Sequence, residues 1–109
     1  MDPERISDFN ISDVVTPTAG RDQGKLFYVI GTDPAFLYLA NGKDRTLVKP
    51  KRKKRKHIQK VLRSETRVAD KLRNGDKVLN SELRRDLAYL SREMQSEQPG
   101  RLTTWQKTT

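Results

Sequence analysis

The chain has no cysteine, one histidine (His57) and one tryptophan (Trp105) in 109 residues. Without cysteine there is no disulfide framework, no thiolate zinc site and no thiol nucleophile. His57 has no carboxylate cluster beside it, so a metal centre lacks ligands. Paired carboxylates in an apolar setting are missing too, as is any Ser/His/Asp set on a plausible scaffold. The expectation is a protein that is not an enzyme, with no catalytic residue, no metal, no cofactor and no small-molecule substrate. Hydrophobic residues make up only 33% of the sequence. No apolar run approaches the ~20 residues of a membrane span. The segment MDPERISDF lacks the apolar core of a signal peptide, which gives the expectation of a cytoplasmic protein.

Positive charge is what the chain has in excess. Lysine and arginine number 23 against 14 acidic residues, a formal net charge of +9 and a pI near 10.1. That balance favours a polyanionic partner, nucleic acid before an anionic membrane surface. The charge peaks in PKRKKRKH, residues 50–57, where Lys51, Arg52, Lys53, Lys54, Arg55 and Lys56 run without a break. Lys43, Arg45 and Lys49 lie just upstream, Lys60 just downstream, and Asp44 is the lone acid between 41 and 64. A membrane role fits poorly, because the run has neither interleaved aromatics nor an adjoining amphipathic lysine-rich helix.

Four stretches follow from the patterning: an arm at 1–10, β structure at 11–62, helices at 63–92 and a polar tail at 93–109. Phe9 and Ile11 are placed to dock on the domain edge. Strands are expected at Val14-Val15 (stopping at Pro17), Leu26–Ile30, Phe36–Ala40, Thr46–Val48 and Ile58–Val61. Asp33-Pro34 marks one turn and Asn41-Gly42 a tight hairpin. Five short strands in so few residues predict a small, bent barrel. Between 44–48 and 58–61 the cations would then form a loop protruding from it.

Helical spacing begins after residue 62. Val68 and Leu72 share a face, and Asn74-Gly75 supplies a stop. Leu79, Leu83, Leu87 and Leu90 form one stripe, with Asn80 or Ser81 as cap and Glu82 in the first turn. Arg84, Arg85 and Asp86 lie off that stripe. The strands at 26–30 and 36–40 are apolar on consecutive positions, so both their faces should be covered. Phe27 and Val29 would point into the barrel. Leu26 and Ile30 would lie under the leucine stripe.

The segment AGRDQGK, residues 19–25, puts Gly20 and Gly24 around Arg21, Asp22 and Gln23. It is neither a P-loop nor a dinucleotide fingerprint. It reads as a tight strand-to-strand loop in which Gly24 needs a backbone barred to other residues. Asp13-Val14-Val15, four residues, then Gly20-Arg21-Asp22-Gln23-Gly24-Lys25 and the apolar run resembles a KOW motif. Ser12 stands where that pattern has glycine. With Asn41-Gly42, the basic run into His57-Ile58 and the segments 69–76 and 80–84, the likeness spans roughly residues 10–92. It is similar to large-subunit ribosomal protein fourteen of the archaeal and eukaryotic type, and to short KOW proteins of Gram-positive bacteria. The resemblance implies an SH3-like barrel of about five strands with a C-terminal helical pair.

It also implies a ribosome-associated RNA-binding protein. The basic run would grip phosphates. Five or six contacts would give a log–log salt slope of roughly −4 to −5. Such contacts position RNA without reading bases. Arg21, Gln23 and Lys25 are either base- or 2′-hydroxyl-reading residues or ordinary polar loop residues. Tyr28 and Tyr38 fit the core better than a base stack. His57 extends the phosphate contacts or caps a strand. Asp13 and Asp22 read as turn residues. Ribosomal RNA is the partner expected. A protein-interaction adaptor of the transcription or translation machinery, with Arg84, Arg85 and Arg92 on its docking face, is the other reading.

Overall fold

A computed structural model describes residues 9–96. Five strands form one antiparallel sheet: β1 (Asp13–Pro17), β2 (Phe27–Thr32), β3 (Phe36–Ala40), β4 (Lys51–Lys54) and β5 (Ile58–Arg63). Two helices follow, α1 (Arg67–Asn74) and α2 (Asn80–Ser96). The spatial order is β4-β3-β2-β1-β5. The edge strands β4 and β5 are thus consecutive in sequence, joined by a single 3-10 turn at Arg55–His57. A flat five-stranded sheet would hold its edges about 19 Å apart. Four chain steps reach only about 14 Å even when extended. The sheet must therefore curl until its ends approach, which makes it an open, barrel-like sheet. Register shifts between Val14 and Val15 and between Val29 and Gly31 supply the local bends.

The curl creates two apolar layers. Val15, Phe27, Val29, Leu37, Leu39 and Ile58 pack together inside it, with Phe9 against them. On the outer face Val14, Tyr28 and Ala40 pack with Val68, Ala69, Leu83 and Leu87 of the helices. Leu26 and Ile30 join this second layer. The consecutive apolar residues of β2 are covered on both sides, as their pattern requires. Burying side chains this size contributes roughly 1.5–3 kcal/mol each before ordering costs.

The helices end for local reasons. Thr66 accepts from Ala69 N and caps α1, and Gly75 closes it at φ 77°. Neither Asn80 nor Ser81 caps α2 in the way the sequence suggests. Glu82 Oε1 accepts instead from Leu79 N, half of a capping box. Asn80 Oδ1 accepts from Leu47 N and ties the 41–50 segment to the helix. Leu79 is 51% exposed, so only Leu83, Leu87 and Leu90 of the stripe reach the core.

Further expectations are corrected. Residues 46–48 form no strand, and Val48 is 85% exposed. Asn41-Gly42 is no tight hairpin, because the return strand starts only at Lys51. The strand that pairs with β3 is the basic run itself, so Lys51–Lys54 are an edge strand and not a protruding loop. Helix α2 also continues to Ser96, beyond the boundary expected at residue 92. The arm at 1–8 and the segment 97–109, with Pro99-Gly100 and Trp105, lie outside the described residues.

Candidate nucleic-acid interface

The glycine loop and the basic strand meet. Gly20 and Gly24 hold φ of 91° and 87°, the left-handed backbone expected of Gly24. Between them Asp22 is turned inward, its side chain only 6% exposed. Three cations converge on it: Lys25 at 3.4 Å, Arg45 at 3.6 Å and Lys51 at 3.8 Å. Its Oδ2 makes no hydrogen bond among the described residues. Asp22 is therefore the counter-ion of a cation cluster and not simply a turn residue. Asp13 does behave as one, since its Oδ2 accepts from Asn10 N at 2.8 Å.

The pleat of β4 divides the basic run between two faces. Residues opposite one another in an antiparallel pair share a face. Lys51 and Lys53 lie opposite Leu39 and Leu37, on the inner side. Their stems follow the apolar interior and their heads emerge at the glycine loop. Lys53 Nζ donates to the Ala19 carbonyl at 3.4 Å. Arg52 and Lys54 lie opposite Tyr38 and Phe36, on the outer side. The Arg52 guanidinium stacks over the Phe36 ring, 3.7 Å from its centroid. Arg55 turns back to the β2–β3 turn, where its Nε and Nη2 donate to the Asp33 carbonyl. Lys54 and Lys56 are exposed. His57 is half-buried, and its carbonyl accepts from Thr18 N.

No protein-family model matches this chain, and no curated protein matches it.

The remaining expected contacts divide the same way. Arg21 and Gln23 project from the glycine loop into solvent, and Lys43 and Lys49 are exposed on the 41–50 segment. Lys25 Nζ donates to Asp44 at 2.9 Å. That bond, then the one to Asp22, raises the Lys25 pKa, while Lys25 holds the Asp44 carboxyl below its ordinary value. Lys60 is elsewhere, 3.2 Å from Asp13 and over the Phe9 ring. Tyr28 is wholly buried and cannot stack on a base. Tyr38 is half-buried and donates to Asp33 Oδ2 at 2.8 Å. That bond, ahead of those from the Phe36 and Ala35 amides, lowers the Asp33 pKa.

Arg84, expected only on the docking face of the adaptor reading, comes to the glycine-loop side. Arg84 of α2 donates to the Gly42 carbonyl at 2.7 Å. A groove of about 660 Å³ runs between the glycine loop, the 41–44 turn and α2, with Lys25, Lys43 and Arg84 on its rim and Leu26 and Leu87 along it. The signal was Arg84's place off the leucine stripe. What could not be read was which loop it would meet.

Among the described residues, no group of three His, Cys, Asp or Glu is placed to hold a metal ion. No described helix is long and apolar enough to cross a membrane.

Proposed function

We propose that this protein is a KOW-type RNA-binding module that grips ribosomal RNA, or structured RNA near the ribosome, with the glycine loop and one face of β4. The observation that carries the reading is the convergence of Lys25, Arg45 and Lys51 on the single inward-turned carboxylate of Asp22. One buried anion holds three cations in a fixed array, with Arg21 and Lys53 beside it. Such an array lowers the ordering cost of meeting several phosphates at once. Backbone phosphate contacts position RNA, and shape or unpaired bases supply selection. Binding is the role we assign, with no catalytic step.

The family likeness is supported at its one departure. Ser12, standing where the motif has glycine, takes φ 79°, the backbone glycine favours.

Fluorescence anisotropy with a structured RNA, across salt, tests the reading. Replacing Arg21, Lys25 and Lys53 by glutamine should flatten the log–log salt slope by about 2–3. Replacing Arg52 and Lys54 should flatten it by less than about 1. Equal effects of the two sets, or no effect of the first, would overturn the assignment to the loop-facing side.

A further inference from the structure

A second basic surface lies on the helices. Arg85, Tyr89 and Arg92 follow one another at i, i+4 and i+7 on α2, a single exposed stripe two turns long. Arg67 at the start of α1 faces the same groove, whose volume is about 410 Å³. Tyr89 is 46% exposed, one of the few large hydrophobic residues left open to solvent among the described residues. All three arginines are exposed, and none has an ion-pair partner among the described residues.

Two carboxylates also line the groove, and both are engaged. Asp86 accepts from the buried Tyr28 hydroxyl and from Thr66 Oγ1. Glu82 accepts from Lys71 Nζ and from Leu79 N, and the lysine, then the amide, holds its pKa down. The acids are thus committed to the fold, while the guanidinium groups make no hydrogen bond or ion pair among the described residues, Arg85 adding only its charge to the field at Glu82. Guanidinium forks fit phosphate oxygens with two parallel hydrogen bonds. An exposed aromatic ring set between them offers a face for an unpaired base. An acidic peptide would satisfy the cations equally, but it would have no use for the intervening ring.

This surface is distinct from the loop-facing one. Arg84 and Arg85 are successive residues, about 100° apart around the helix. Arg84 turns to Gly42 and the glycine-loop groove, whereas Arg85 turns to the groove with α1. We propose that the α1–α2 groove is a second RNA-binding surface, so that one protein molecule holds two RNA segments, one on the barrel and one on the helices. The second segment binds through its phosphates to Arg67, Arg85 and Arg92, with an unpaired base on Tyr89. The bridging role rests on the RNA-binding reading of the barrel. The groove's own affinity for RNA does not.

Native mass spectrometry with a short single-stranded RNA, at low salt, reads the stoichiometry directly. The wild-type chain should carry two RNA molecules. R67Q/R85Q/R92Q should carry one, and R21Q/K25Q/K53Q should also carry one. The two sets combined should carry none. Y89L, which keeps an apolar side chain without the ring, should weaken only the RNA left in R21Q/K25Q/K53Q. Because the three arginines make no hydrogen bond or ion pair among the described residues, and Arg85 acts on Glu82 only through its charge, their thermal melt should stay close to the wild type's, so a loss of RNA reports the surface and not unfolding. Two RNA molecules on R67Q/R85Q/R92Q, or one on the wild type that R67Q/R85Q/R92Q keeps, would overturn the proposal. A polyglutamate peptide that binds the groove in place of RNA would overturn it too. If R67Q/R85Q/R92Q loses all RNA while R21Q/K25Q/K53Q loses none, the groove stands and the barrel assignment fails.

Discussion

Arg73 of α1 donates through Nη1 to Ser12 Oγ at 2.7 Å, across 61 residues of sequence. The same nitrogen reaches the Ser64 carbonyl at 2.9 Å. One guanidinium thus binds the turn before β1 and the end of the sheet to the first helix. Ser12 is buried and sits at φ 79°, where a side chain costs about 1–2 kcal/mol. The hydroxyl bond to Arg73 offsets that cost.

Substitution at Ser12 separates the two terms. S12A keeps the unfavourable backbone and loses the bond. Urea unfolding should show a loss of about 1.5–3 kcal/mol, typical of a hydrogen bond to a charged group. S12G loses the same bond but relieves the backbone, so it should be the milder change by about 1 kcal/mol. S12G as damaging as S12A would mean that the torsion carries no strain.

A pH effect is expected from Tyr28. Burial, and then its hydrogen bond to Asp86, raise its pKa to about 12. The folded state therefore holds this proton more tightly than the unfolded chain, whose tyrosine titrates near 10. The stability it contributes is complete below pH 10 and is lost as pH rises towards 12. Y28F should be less stable at neutral pH by about 1–3 kcal/mol, since Asp86 loses a donor. Its denaturation midpoint should also fall less steeply than the wild type's between pH 10 and 12. Parallel curves would show that folding leaves the Tyr28 pKa unchanged.

Asp22 should stabilise its loop through the cations it gathers. D22N leaves Lys25, Arg45 and Lys51 together without their shared anion. Chemical unfolding at low salt should show a loss on the order of 1–3 kcal/mol, below that of a fully buried pair because the cations are part-exposed. Much of the loss should disappear at 1 M salt, where like-charge repulsion is screened within about 3 Å. A penalty independent of salt would point to packing and not to charge.

Two glycines with the same torsion should respond differently. Gly42 and Gly75 hold φ of 78° and 77°. A Cβ on Gly42 would lie 2.3 Å from the Asn80 carbonyl oxygen, whereas one on Gly75 would meet nothing within 4 Å. G75A should cost about 1 kcal/mol, from the torsion alone. G42A should cost about 2–4 kcal/mol, because α2 must move away from the 41–50 segment. Thermal melts of the two variants make the comparison.

What could be read from the sequence was whatever leaves a periodic or steric mark. Consecutive apolar residues in Leu26–Ile30 announced burial on both faces, and the helices do cover the outer one. Asn74-Gly75 ended α1 as expected, and Gly24 took the backbone anticipated for it. The role of β4 left no such mark. Lys51–Lys54 has no apolar residue, and its strand conformation comes from pairing with Phe36–Leu39 and from stems long enough to lie along the interior. Val48 has the side chain of a strand residue, yet no partner strand reaches it. Asp22 meets cations from positions 25, 45 and 51, a meeting that exists only once the sheet has curled.

The position of β4 has one more consequence, for behaviour in crowded solution. As an outer strand it shows a row of amide and carbonyl groups that a second copy could extend into a shared sheet. Four successive positive side chains make two such rims repel one another. Neutralising them should therefore make the protein stickier as well as less able to hold an anion, and light scattering would register that cost separately from any change in affinity.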